Sequence, residues 1–184
     1  MSGGHLRILV CGAGPATDVG RLIEAAHERS WTTAVTATAS ALDFIDVPAI
    51  EVLSGNPVRT SYQTSGRREL PPVDAVIIAP ATYNTVNKLA IGVADTYSLA
   101  SVAELIGRGV PTVVVPFVNA ALAGRTPFQR SIAGLRAEGV RVLAGPDDGW
   151  EPHPPGTGPD RQAAFPWRTA FRIAEEMAGR QVHP

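Results

Sequence analysis

Short apolar runs alternate along this chain with longer amphipathic stretches. The first run, His5 to Cys11, reads as a buried strand and ends at Gly12-Ala13-Gly14-Pro15. Over residues 17–29, Val19, Leu22, Ile23 and Ala26 recur at i, i+3, i+4 and i+7, the spacing of one helix face. Residues 31–37 read as a second strand. A helix is predicted to begin near Ser40, a favourable N-cap, and to carry Leu42, Phe44 and Ile45 before Pro48 stops it. Residues 51–72 are polar and broken by Gly55, Asn56-Pro57, Gly66 and Pro71-Pro72, an irregular excursion with a short strand at most. Strong strands resume at 73–79 and 110–116. Helices are predicted over 86–90, 97–108, with Gly109 as its C′ residue, and 127–138, which Gly139 ends. Residues 140–143 form the last predicted strand. The Pro- and Gly-rich segment 144–160 reads as a mobile surface loop of the kind that forms lids over sites. A helix over 167–180 follows.

Strands alternating with helices predict an α/β fold: a single doubly wound, Rossmann-like domain over 1–184, with a parallel sheet flanked by helices and a core over 6–145. The 184 residues suffice for one full hydrophobic core. Hydrophobic residues make up 45% and aromatics 6%, so that core is aliphatic, as buried parallel strands require. A net charge of −1 gives no basic field for nucleic acid, and no polybasic or amphipathic stretch suggests a membrane. Cys11 is the single cysteine and the four histidines are scattered, so no disulfide or metal-ligand spacing is present. No secretory signal is visible, and a cytoplasmic protein is expected.

In a parallel sheet, ligands sit outside the carboxyl ends of the strands. Four such ends carry polar or glycine-rich turns. The first, Gly12-Ala13-Gly14-Pro15-Ala16-Thr17, begins like a dinucleotide fingerprint, but Thr17 replaces the third glycine and no acidic residue ends the second strand. A plain NAD site is therefore disfavoured, although the glycines let backbone approach a phosphate. The second, Thr36-Ala37-Thr38-Ala39-Ser40, offers hydroxyls suited to a phosphate monoester. The third is Pro80-Ala81-Thr82-Tyr83-Asn84-Thr85, whose polar groups suit an anionic ligand or, equally, a helix cap. The fourth, Pro116-Phe117-Val118-Asn119, ends in an amide that either meets a ligand or caps the next segment.

Together these residues resemble the flavoprotein family that includes phosphopantothenoylcysteine decarboxylase, the peptidyl-cysteine decarboxylases of lanthipeptide biosynthesis and, more distantly, the flavin prenyltransferases. Pro80–Thr85 is similar to the family's P-A-S-A-N-T motif, and the continuation Val86 to Asp95 to its G-x-A-D extension. Thr38-Ala39-Ser40-Ala41-Leu42-Asp43-Phe44 resembles a T-x-S-A-x-x-F segment that contacts flavin. Pro116–Asn119 resembles the P-x-M-N substrate clamp. The resemblance implies FMN as cofactor, with Gly12, Ala13, Gly14, Thr17, Thr38 and Ser40 near its phosphate and Pro80, Ala81, Thr82, Asn84, Thr85 and Asp95 among the other contacts. It implies oxidation of a cysteine thiol to a thioaldehyde and loss of carbon dioxide from a small or peptidyl carboxylate, with Asn119 at the substrate. It also implies a homotrimer or a dodecamer of trimers.

Three departures stand out. The family's catalytic His falls in Gly66-Arg67-Arg68-Glu69-Leu70, where Arg67 takes the nearest position; no His lies between His27 and His153. Arginine cannot act as a base near neutral pH. Either Glu69 serves, or His153 reaches in from the loop, or the chemistry differs. The clamp's Met and Trp are replaced in Val118-Asn119-Ala120-Ala121-Leu122-Ala123, and Ala13 stands where many members have a phosphate-binding Ser. Besides the decarboxylase reading, an FMN-binding subunit without turnover therefore remains open.

Overall fold

The computed structural model describes residues 3–62 and 71–181. Five parallel strands form one sheet in the order β2-β1-β3-β4-β5: β1 (His5–Val10), β2 (Thr32–Ala37), β3 (Ala75–Ala81), β4 (Thr112–Pro116) and the short β5 (Arg141–Val142). β1 and β3 are buried along their whole lengths; β3 is apolar throughout, while β1 also buries His5 and Arg7. Helices cover both faces. Ile8, Val10, Ile77, Val113 and Val115 pack with α1 (Gly20–His27), α2 (Val47–Ser54) and α8 (Trp167–Gln181). Leu9, Val76, Ile78 and Val114 pack against α3 (Tyr83–Ala90), α4 (Tyr97–Gly107) and α6 (Thr126–Ala137). No helix among the described residues is long and apolar enough to cross a membrane.

Consecutive strands first run from β1 to β2 on one side, then cross back to β3 on the other. The carboxyl ends of β1 and β3 therefore border the crevice where the strand order reverses, the usual ligand position in such sheets. At that point β3 and β4 lose their regular register between Ile78 and Ala81, and the Ala79–Pro80 peptide is cis.

Two expectations need correction. Pro48 does not stop a helix but opens one. A 3-10 turn spans Ala39–Asp43, and α2 then starts at Val47, capped by Asp46, whose carboxylate accepts the Ala49 N–H at 3.1 Å. Proline is tolerated in a first turn because its missing N–H would have had no partner there. Gly55, at φ 68°, ends the helix.

The second correction concerns residues 144–160, which pack as a strap across the sheet's carboxyl end. The Asp148 carboxylate, 5% exposed, lies between Arg136 at 3.1 Å and Arg141 at 2.6 Å and accepts the Ala144 N–H at 2.8 Å. Trp150 is buried, and the short helix α7 (Gly158–Gln162) follows, after α5 (Ala120–Ala123) and α6.

Candidate functional site at the strand carboxyl ends

The glycine loop and the second strand end touch directly. A Cβ on Gly12 would lie 2.7 Å from the Ser40 carbonyl oxygen and 2.6 Å from its Oγ, so only glycine allows the two turns to meet. Ser40 Oγ lies 3.3 Å from Thr38 Oγ1, forming a hydroxyl pair at the end of β2. In the loop, the Ala13 N–H is spent on the Cys11 carbonyl at 2.9 Å. The N–H groups of Gly12 and Gly14 take no partner among the described residues. Thr17 donates its hydroxyl to the Gly14 carbonyl at 3.1 Å.

The third end is held by a cap and by helix packing. Thr82 Oγ1 accepts the Thr85 N–H at 3.3 Å, and the two hydroxyls lie 3.0 Å apart. Asn84 is exposed at the first turn of α3. Tyr83 stacks on Phe128 at 5.4 Å, and its hydroxyl accepts from Arg125 at 3.2 Å. Asn87 donates to the Tyr83 carbonyl at 2.9 Å and accepts from Ser131 at 2.8 Å, so this motif residue ties α3 to α6. Pro80 and Ala81 contribute backbone: Cys11 N–H donates to the Pro80 carbonyl at 3.2 Å and Phe117 N–H to the Ala81 carbonyl at 2.9 Å.

Beneath this group, Cys11 is 1% exposed. Burial pushes its thiol above the ordinary range; contacts with the Thr85 hydroxyl and the Thr82 backbone oppose the shift. It is a packed thiol, not a reactive one.

At the fourth end, Asn119 Oδ1 accepts the Leu122 N–H at 3.0 Å and caps α5. Its Nδ2 takes no partner among the described residues. The strap meets this end: the Ala120 N–H donates to the His153 carbonyl at 2.8 Å, and Asn119 and His153 pair as a parallel bridge. The His153 ring lies 4.9 Å from Phe117, and its Nδ1 is 3.0 Å from the Pro154 carbonyl oxygen. A carbonyl only accepts, so Nδ1 carries hydrogen and the neutral ring keeps its free lone pair on Nε2.

The strap's far end returns to the glycine loop. Gln162 Nε2 donates to the Gly14 carbonyl at 2.7 Å and lies 3.2 Å from Thr17 Oγ1. Between these anchors, Trp150 packs on Phe165 at 5.1 Å, with the Arg161 guanidinium 4.5 Å above the Trp150 ring. Sequence reasoning missed Gln162 and Trp150. Only the return of a Pro/Gly-rich segment to the sheet brings them to the site, and no local spacing encodes that return.

The structure thus brings Gly12, Ala13, Gly14, Thr17, Thr38, Ser40, Pro80, Ala81, Thr82, Asn84 and Thr85 to three adjoining strand ends, and Asn119 and His153 to a fourth. Asp95 is not among them: it lies beyond the far end of α3, exposed and paired with Lys88 at 2.6 Å. Arg67, Arg68 and Glu69 lie outside the described residues.

A hollow of about 300 Å³ lies along the strap, lined by Glu151, His153, Thr157, Asp160 and Arg161. A larger one of about 360 Å³, bordered by Pro111, Val140 and Arg180, opens at the opposite ends of the strands. Position in the sheet, rather than volume, favours the carboxyl-end group as the binding site.

The model of the Flavoprotein family matches residues 1–157. The chain belongs to the Flavoprotein family. Among curated relatives of this family member, the coenzyme A biosynthesis bifunctional protein CoaBC of Haemophilus influenzae is 25% identical over 158 residues. That alignment covers 82% of this chain and 38% of the relative, so the chain spans well under half of that protein. Among solved structures, the FMN-dependent cysteine decarboxylase SpaF superposes with a TM-score of 0.68 at 26% identity, covering 93% of this chain and 97% of SpaF. The cypemycin decarboxylase CypD superposes at 0.74 over 97% of this chain and 96% of its own, with 19% identity, a likeness of fold.

The residues at the three adjoining ends suit a phosphorylated flavin. The Gly12–Ser40 contact leaves no room for a side chain between the turns, and the donor set of backbone N–H groups and hydroxyls is the chemistry a phosphate monoester takes.

Proposed function

We propose that this Flavoprotein family member binds FMN at the β1/β3 crevice and catalyses the oxidative decarboxylation of a small or peptidyl carboxylate bearing a cysteine thiol. The Gly12–Ser40 contact is the observation that carries the reading, because it brings the phosphate-type donors of two strand ends into one cradle. Gly12, Gly14, Thr17, Thr38 and Ser40 hold the phosphate; Ala81, Thr82, Asn84 and Thr85 border the rest of the cofactor. Bound flavin supplies the two-electron oxidation. The chain supplies orientation and a proton acceptor. The free Nδ2 of Asn119 holds the substrate carboxylate or carbonyl by donation. His153, whose Nε2 lone pair is available and whose backbone is fixed to the Asn119 turn, takes the thiol proton.

A homotrimer or dodecamer belongs to the same reading. Leu42 and Phe44, 40% and 39% exposed beside Ser40, gain from a covering subunit.

The test joins a visible spectrum with a substrate screen. Flavin absorption in the purified protein and carbon dioxide release from cysteine-terminated peptides or N-acyl cysteines support the reading, and His153→Gln lowers the rate about 100-fold or more. Protein that neither contains nor takes up FMN sinks it. The second reading, an FMN-binding subunit without turnover, is favoured by the lack of any histidine between His27 and His153. It predicts bound flavin that no thiol substrate reduces.

A further inference from the structure

The strap's return to the glycine loop gives one side chain a function beyond packing. Gln162 is half-buried and reaches across 148 residues of sequence to the Gly14 carbonyl, at 2.7 Å from Nε2. The same amide nitrogen lies 3.2 Å from Thr17 Oγ1. Its Oε1 would lie 2.5 Å from a Cβ on Gly14, so a side chain at position 14 would push the amide away.

A carboxamide nitrogen has two hydrogens, and both have an acceptor here. The Gly14 carbonyl accepts from Gln162 as well as from Thr17, whose own hydroxyl donates to it at 3.1 Å. With that carbonyl satisfied by Gln162, the Thr17 hydrogen can leave it at little cost. The Thr17 oxygen keeps the second Gln162 hydrogen. Its proton is then available to an anion at the mouth of the loop, beside the unpartnered N–H groups of Gly12 and Gly14. Without Gln162, turning the Thr17 hydroxyl would strip the carbonyl of its side-chain donors.

Resting on the FMN reading above, we propose that Gln162 is a positioning residue for the cofactor's phosphate: it orients Thr17 as a donor to that group and makes the protein prefer FMN to riboflavin. The contact is confined to Gln162, Gly14 and Thr17 of the glycine loop, so its effect would fall on a phosphate held there and spare a flavin that lacks one.

Apo protein is titrated separately with FMN and with riboflavin, following flavin fluorescence, for wild type, Gln162→Ala and Gln162→Glu. Gln162→Ala is expected to weaken FMN about tenfold, the order of one hydrogen bond to a charged group, and to leave riboflavin unchanged. Gln162→Glu keeps the shape but places a carboxylate by the loop, and is expected to weaken FMN further, again sparing riboflavin. In a Thr17→Val background, Gln162→Ala should cost little more, since both act through one donor. Thermal melts of the apo variants establish that each is folded. Equal weakening of FMN and riboflavin, or no change in either, overturns the proposal while leaving FMN binding intact. Wild-type protein that binds neither flavin overturns the flavin reading and this inference with it.

Discussion

Trp150 donates its indole N–H to the Pro116 carbonyl at 2.8 Å, with both groups buried. This bond fixes the strap to the last residue of β4, one position before Phe117, whose ring lies 6.4 Å from Trp150 and 4.9 Å from His153. The placement of His153 over the fourth strand end thus depends on a tryptophan three residues earlier.

Trp150→Phe preserves most of the packing but leaves the Pro116 carbonyl buried without this donor. The expected loss is about 1–3 kcal/mol of unfolding free energy, read from urea denaturation. An unchanged midpoint would show that water replaces the indole.

Gly12→Ala forces a methyl against the Ser40 carbonyl, where the Cβ would sit 2.7 Å from oxygen. Both turns must separate. A loss of about 1–3 kcal/mol is expected, together with loss of flavin uptake. Gly55→Ala is a control: its φ of 68° also strains a side chain, but it ends α2, away from the strand ends, and should spare flavin binding.

Cys11 has a folded-state pKa raised above its ordinary value of 9.0 by burial. The folded form therefore holds its proton at a pH where the unfolded chain has lost it. That stability is present in full below about pH 9 and is lost as pH rises toward the folded pKa, with a slope of up to about 1.4 kcal/mol per pH unit. Cys11→Ala should remove this alkaline slope. Stability measured from pH 8 to 10.5 in both proteins checks it, and parallel curves would assign the slope to other groups.

Bound cofactor stabilises by mass action. FMN at a hundredfold its Kd should add about 2.7 kcal/mol to unfolding and raise the melting temperature accordingly. Inorganic phosphate alone, at concentrations far below its own Kd, should leave it unchanged.

The alternation of apolar runs with amphipathic stretches made the parallel sheet legible in the sequence, because β1, β3 and β4 are buried and built mostly of aliphatic residues, with His5, Arg7 and Thr112 as their buried polar exceptions. The three adjoining strand ends were legible for a related reason: Gly12, Ser40 and Thr82 interrupt apolar runs with groups that need partners. Pro48 was misread because proline marks a helix start as well as a stop, and only the Asp46 cap decides which. Of the two sequence readings of Asn119 the cap is present, through Oδ1 to Leu122 N–H, while Nδ2 takes no partner among the described residues. The strap was the least legible part. Its prolines and glycines signal irregular backbone, but irregular is not loose: Asp148 ties it to Arg136 and Arg141 nearby, and Trp150 to Pro116, 34 positions away.

The bond from Gln162 to Gly14 joins residues 148 positions apart. The glycine loop therefore takes its final shape only when the last part of the chain folds back on it. α8 arrives with that same stretch and covers one face of the sheet, burying Trp167, Phe171 and Ala174 in the core. Closing the crevice and covering the sheet are thus one event, and a protein that has captured its cofactor is also one whose core is complete.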